Sequence, residues 1–133
     1  RTGRDVSAIE VCMKPLVGTA PDDEQLERVV ATVRARVGFY LSTPSYRRTF
    51  RLHGWGDIAE QASVLSREGR WGELPGLVHD EMLHEVATIG TYDQIAARLN
   101  DRYAGRVDRI EFSIPVDNDD DADRFREILR RLG

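Results

Sequence analysis

Aromatic and hydroxyl side chains gather around one break in the helical pattern of this 133-residue sequence. Aromatic rings beside hydroxyl groups can form the wall of a site for a flat ring or an apolar substrate, with a few polar groups to orient it. Histidine can donate or accept a proton near neutral pH. The alternative is a packing cluster whose hydroxyls cap a helix, and the pattern alone leaves both open. The candidates are Tyr40, Ser42, Thr43, Tyr46, His53 and Trp55.

The chain contains a single lysine, Lys14, and it stands at the end of the first predicted strand. Its ammonium group could meet a phosphate or another anionic group as a point charge. A lysine in contact only with solvent is the alternative that the sequence favours. Lys14 is therefore a candidate for binding an anion, although the sequence favours a solvated lysine over this interpretation.

Two groups of potential metal ligands have the wrong spacing. His79 and His84 are five residues apart, so on a helix they would point about 140° from each other. The alternating aspartates in residues 117–121 resemble the first half of a calcium loop. That loop would need a glycine where Ala122 stands and a glutamate where Ile128 stands. The sequence therefore predicts a solvated helix start at the aspartates, and no metal site.

Hydrophobic periodicity predicts two strands and several helices. The first strand is expected over residues 6–14 and the second over residues 107–114, each followed by helices, and residues 1–5 are expected to end a helix and turn into the first strand. Each predicted helix ends near a glycine or proline or begins at a capping residue. The predicted helices cover residues 21–42, 43–54, 57–69, 70–86 and 92–103, with a last one carrying residues 125–132.

Two strands make a poor sheet by themselves, because both outer edges leave backbone groups unpaired. Parallel neighbours need a crossover connection, and the helices between the two strands provide one. We therefore expect the strands to find partners in further sequence or in another chain. The start at Arg1 rather than methionine also suggests a chain cut from something longer. A small helical domain with a two-stranded sheet is the alternative.

Composition narrows the function classes. A net charge of -4 argues against a general nucleic-acid-binding protein, which usually carries a basic face. The sequence has no run of about 18 apolar residues, so it predicts no membrane span. The single cysteine cannot form an internal disulfide, which suits a cytoplasmic protein. A cytoplasmic globular protein is the expected class.

Residues 37–47 (VGFYLSTPSYR) and residues 53–57 (HGWGD) resemble the luciferase-like monooxygenases. The likeness is greatest to the branch that uses the deazaflavin coenzyme F420. Residues 68–71, 80–83 and 89–91 are similar to the same branch. The pairing of the first two stretches is fairly specific, whereas the glycine–threonine helix start at residues 90–91 is common.

The resemblance implies an α/β fold, namely the helix-rich C-terminal part of a (β/α)8 TIM barrel. Residues 1–20 would hold barrel strand seven, residues 21–88 a helical insertion, and residues 89–133 the last helix–strand–helix unit with the closing helix. The first six strands are not in this sequence. The resemblance therefore implies that the chain is inactive alone and needs the N-terminal part of the barrel or a second copy.

The resemblance also implies a function: part of an oxidoreductase that acts as a monooxygenase or transfers a hydride to or from a small-molecule substrate. Coenzyme F420 is the expected cofactor and FMN the alternative. A non-catalytic binding or assembly module, which pairs its open strand edges with a partner, is the alternative function. The implied residues are His53 for catalysis, Lys14, Tyr40, Ser42 and Thr43 for the cofactor, and Tyr46 and Trp55 for the substrate.

Overall fold

The computed structural model describes Gly3 and residues 5–133, and these residues form two compact units. The first unit combines Arg1–Leu26 with Thr88–Gly133, and the second is Glu27–Ala87. Arg1, Thr2 and Arg4, which belong to the predicted helix end and turn, lie outside the described residues. The assignment of these segments to parts of a barrel stays a prediction.

The two predicted strands pair in the first unit, in parallel. Strand β1 (Cys12–Met13) and strand β4 (Arg109–Ile110) run side by side, with Cys12 opposite Arg109 and Met13 opposite Ile110. Backbone hydrogen bonds extend the pairing by one residue at the far end, since Glu111 donates its N–H to the Met13 carbonyl at 2.9 Å. The parallel pairing is the arrangement that the predicted crossover requires.

Both strands are shorter than predicted. The expectation of a strand from residue 6 is wrong, because Val6–Ala8 forms a 3-10 turn. The Asp5 carboxylate accepts the N–H of Ser7 at 3.0 Å, and such a local side-chain bond competes with extended structure. At the other end, residues 111–114 lack strand structure.

A second sheet was not predicted. It pairs β2 (Leu16–Ala20) with β3 (Ala87–Thr91). All five residues of β3 are buried, so it shows no alternation between apolar and polar positions. Gly18 and Gly90 also weaken the strand signal, since glycine is depleted in strands. The absence of alternation and the two glycines explain why the sequence pattern predicts neither β2 nor β3.

The core of the first unit forms between helices α5 (Tyr92–Tyr103) and α6 (Asp119–Leu132) and the segment around β4. Phe112 and Phe125 meet edge to face, with ring centroids 5.7 Å apart. The acidic run starts α6 as predicted, with Asn118 as its cap. The buried members of the core are Ile95, Ala96, Leu99, Tyr103, Ile114 and Ile128.

The second unit is helical, as its periodicity predicts. Its first helix, α1 (Asp23–Ser42), buries an apolar stripe, and the short α2 (Arg47–Leu52) and longer α3 (Gly56–Arg67) follow. Gly54 and Gly69 have φ angles of 80° and 73°, which suit glycine at the predicted helix stops. Helix α3 begins one residue before its predicted start at residue 57, with Trp55 in the N-cap position and Asp57 in the first turn.

The predicted helix over residues 70–86 is interrupted. A 3-10 helix covers Trp71–Leu77, and α4 (Asp80–Val86) begins after a break. Arg34 stabilises the break, since its guanidinium donates to the Val78 carbonyl and to the Asp80 carboxylate, the latter at 2.6 Å. A cation from a distant helix thus satisfies a carbonyl that a continuous helix would have bonded itself.

Among the helices that the structure describes, none combines the length and the apolar character that crossing a membrane requires.

We predict that Gly38→Ala destabilises the second unit. A β-carbon at residue 38 would lie 3.0 Å from the backbone carbonyl carbon of Leu74, and the buried Leu74 has little freedom to move. Overpacking of this kind costs about 1–3 kcal/mol, against about 1 kcal/mol gained from the better helix former. Chemical denaturation should therefore give a lower unfolding midpoint. Gly76→Ala is the matched control, because its β-carbon meets no atom within 4 Å; equal midpoints for both variants would contradict the close approach.

We also predict that the Arg34–Asp80 pair stabilises the fold only while Asp80 is ionised. The hydrogen bond from Arg34, and then its charge, lower the pKa of Asp80 below the ordinary 3.8. A carboxylate with a lowered pKa in the folded state adds stability at neutral pH and loses it as the pH falls through that lowered value. Denaturation midpoints should be higher for the parent than for Asp80→Asn at about pH 7, and the gap should close in acid.

Glu81→Gln is the control for this pair, because it removes a neighbouring charge from the same helical turn and leaves the Arg34–Asp80 bond in place. A gap between the parent and Asp80→Asn that stays constant down to about pH 2 would show that the ion pair does not contribute.

Candidate functional site

The second unit contains six of the candidate residues. Ring contacts place the four that have rings in two groups. Tyr40 and Tyr46 form one, with ring centroids 5.2 Å apart and planes tilted by 49°. His53 and Trp55 form the other, with stacked rings whose centroids are 4.9 Å apart. Ser42 and Thr43 lie in the turn between the two tyrosines.

The tyrosine group continues into two aromatic residues that the sequence analysis missed. Phe39 lies 6.3 Å from Tyr40 and 6.2 Å from Trp71, measured between ring centroids. We call Trp71, Phe39, Tyr40 and Tyr46 the aromatic strip. Phe39, Trp71 and Tyr46 are 52%, 49% and 45% exposed, respectively. A run of exposed rings is a candidate for contact with a ligand or a partner.

A signal for Phe39 was present in the sequence. The buried stripe of α1 consists of Val33, Val37 and Leu41, and Phe39 lies off that stripe on the helix. An aromatic residue on the solvent side of an amphipathic helix is the pattern that could have found it. Trp71 gave no comparable signal, because the region was predicted as a regular helix.

The hydroxyls of Ser42 and Thr43 both donate to the carbonyl oxygen of Phe39, at 2.7 and 2.9 Å. They thereby satisfy a carbonyl near the C-terminus of α1, where intrahelical partners run out. Thr43 occupies the predicted N-cap position before Pro44, but its side chain makes no cap hydrogen bond. These two hydroxyls therefore hold the turn that places Tyr46 against Tyr40.

The second group is built around a buried tryptophan. Trp55 has His53 stacked on it, and the edge of His79 lies 5.5 Å away between ring centroids. His79 caps α4, since its Nδ1 accepts the N–H of Met82 at 3.1 Å. Phe50 packs on Trp55 at 6.4 Å. Both histidines of this group are exposed, but His79 already uses its Nδ1 to cap α4, so His53 is the one whose imidazole has no such bond among the residues that the structure describes.

Lys14 belongs to the first unit and follows β1. Its Nζ lies 3.4 Å from a carboxylate oxygen of Glu111, and both side chains are exposed. A second ion pair joins Arg109 to Glu10 at 2.8 Å. The positive charge of Lys14 is thus matched by a neighbouring carboxylate, so an anionic group would have to compete with Glu111 for it.

These residues differ in how well they suit a flat cofactor ring. The exposed rings of the aromatic strip fit such a group, because aromatic faces stack on planar conjugated systems. The hydroxyls of Ser42 and Thr43 have given their hydrogens to Phe39 and retain only acceptor capacity. As for metals, no group of three or more His, Cys, Asp or Glu in the described part of the chain could hold an ion.

Comparison with known proteins gives one family. The family model described as luciferase-like monooxygenase matches residues 1–109. Uncharacterized proteins of Mycobacterium tuberculosis (from two strains) and Mycobacterium bovis are 43% identical over 110 residues, which is 83% of this chain and 32% of each relative. The chain therefore spans about a third of the length of these curated relatives. No solved structure gives a significant match.

Proposed function

Because the chain belongs to the luciferase-like monooxygenase family, we propose that it is part of an oxidoreductase that uses a reduced deazaflavin or flavin. The observation that carries the proposal is the family match over residues 1–109. Coenzyme F420 is the proposed cofactor and FMN the alternative. The cofactor would supply hydride transfer or, as a flavin, oxygen activation. The protein would bind and orient the cofactor and the substrate and would exclude water from the site.

In this proposal the aromatic strip forms one wall of the site. Tyr40 would contact the cofactor ring, and Ser42 and Thr43 would hold the backbone turn that supports it. Tyr46, at the exposed end of the strip, would contact the substrate. Three of the four rings are exposed and Tyr40 is partly exposed, which supports this arrangement, because a ring must be accessible to stack on a bound molecule.

His53 is the proposed proton donor. Its ring stacks on Trp55, which is buried and so keeps the imidazole in one orientation. A positioned imidazole can give a proton from a ring nitrogen to a substrate atom that gains electrons in the reaction. Trp55 would then contribute to substrate binding by holding His53 rather than by broad contact of its own.

Lys14 is the proposed partner of an anionic cofactor tail. Its ammonium is exposed and lies next to Glu111, so binding would exchange one carboxylate for another anion. Such an exchange between exposed charges contributes little energy, about 0–1 kcal/mol. We therefore assign Lys14 a supporting role in the affinity and rely on stacking for most of it.

The remaining part of the barrel would come from sequence outside this chain or from a second copy. Two observations support this: each sheet in the described residues has two strands, and the relatives are about three times longer than the matched segment. Exposed apolar residues on or beside β1 (Ile9, Val11 and Met13) also favour the alternative, an assembly module that pairs with a partner. In either case we do not expect this chain to be active alone.

We predict that the full-length protein binds F420, or else FMN, and that Tyr40→Ala weakens this binding. A lost aromatic stack costs about 0.5–1.5 kcal/mol, which corresponds to roughly a two- to tenfold higher Kd. Fluorescence titration with F420 and with FMN measures the Kd of the parent and of the variant. Leu52→Ala is the control, since Leu52 is an exposed apolar residue in the same unit but outside the strip.

Failure to bind either cofactor would contradict the enzymatic proposal. The assembly module would then be the better account, and light scattering on the full-length protein would have to show a stable oligomer or complex.

We predict that His53→Ala lowers the turnover number by about 10²–10⁴-fold, the usual contribution of a general acid or base. Cofactor affinity should stay close to that of the parent, because the imidazole acts on the substrate. Steady-state kinetics with a turned-over substrate measures the effect. His84→Ala provides the control, since it removes an exposed histidine from α4; equal turnover for the two variants would rule out His53 as the proton donor.

A further inference from the structure

The first unit contains a pocket of about 340 Å³ between α5, β4 and α6. This volume lies at the lower end of the range of small-molecule sites. Part of its wall, on α6, lies beyond the residues that the family model matches. The pocket belongs to the first unit, whereas the aromatic strip belongs to the second. Its apolar lining consists of Leu99, Tyr103, Val107, Ile110, Leu129 and Leu132.

The lining also contains three polar residues: Asn100, Asp108 and Arg109. Their existing partners determine what they can still bind. The Asn100 amide nitrogen donates to the Arg131 carbonyl at 3.0 Å, which leaves the amide oxygen as an acceptor. One Asp108 oxygen accepts the N–H of Val11 at 2.7 Å. No other residue that the structure describes bonds the second oxygen of Asp108 or the amide oxygen of Asn100.

The charges of the lining do not cancel. Arg109 is paired with Glu10 at 2.8 Å, so its positive charge is compensated. Asp108 accepts a neutral backbone N–H and has no cationic partner among the described residues. The pocket thus combines an apolar wall with one uncompensated carboxylate and a second acceptor. A ligand that complements it needs hydrogen-bond donors and a positive charge on an apolar body.

We propose that this pocket binds a small organic amine, with its ammonium group on Asp108 and Asn100 and its hydrocarbon part against α5 and α6. The ammonium has three donors, enough for both acceptors. The hydrocarbon covers partly exposed apolar residues such as Leu129, which removes apolar surface from water. This site is independent of the proposed oxidoreductase site.

Benzylamine is a suitable probe, with benzyl alcohol and benzoate as matched compounds of the same ring and different charge. Calorimetric titration of the full-length protein should give the order benzylamine, benzyl alcohol, benzoate from tightest to weakest. Asp108→Asn should raise the Kd for benzylamine at least about tenfold, because a charge-assisted bond is lost. The asparagine keeps an acceptor for the N–H of Val11, so the fold should persist.

Two further variants make the test independent of that substitution. Ala104→Leu places a larger side chain in the lining at an exposed position and should raise the Kd at least about tenfold. Asp101→Asn removes an exposed carboxylate from the same helix outside the pocket lining and should leave the Kd unchanged. Benzoate or benzyl alcohol binding as tightly as benzylamine, an unchanged Kd in Ala104→Leu, or an equal loss in Asp101→Asn would each overturn the proposal. Cofactor binding by the full-length protein plays no part in this result, so the two proposals fail separately.

Discussion

The candidate site depends on how α1 ends. A helix leaves its last carbonyls without partners, and at the end of α1 two neighbouring hydroxyls bond one of them, that of Phe39. Pro44 follows at once and cannot continue the ladder. The chain therefore turns at Ser42 and Thr43 and brings Tyr46 back against Tyr40. The hydroxyls that were candidates for binding a ligand are thus first of all the reason that the rings meet.

The parts of this arrangement that could be predicted are the local ones. Gly54 and Gly69 end helices because their backbone angles are those that glycine adopts readily, and this preference is written in the residue itself. The stripe along α1 is equally local, since it follows from helical spacing. Sequence patterns of this kind are enough to place Tyr40, Ser42, Thr43 and Tyr46 around one predicted helix break.

The parts that could not be predicted come from contacts between distant segments. Arg34 bonds Val78 and Asp80, more than forty positions further along the chain. These bonds stabilise a break in residues 70–86, whose periodicity predicts one continuous helix. Trp71 meets Phe39 because Gly38 lets Leu74 approach α1 closely. Strand β3 is buried along its whole length, so its sequence lacks the alternation of apolar and polar residues by which a half-buried strand is predicted. In each case a tertiary contact overrides a local preference.

The same distant contacts support the proposed proton donor. Arg34 fixes the break before α4, and the break frees His79 to serve as the cap of that helix. The ring of His79 then lies against Trp55, on which the ring of His53 is stacked. An exposed imidazole would otherwise sample several rotamers, and a general acid works only when its nitrogen stays within hydrogen-bonding reach of the substrate. The stacking of His53 on the buried Trp55 therefore supports the proposed role of His53 more than its exposure does.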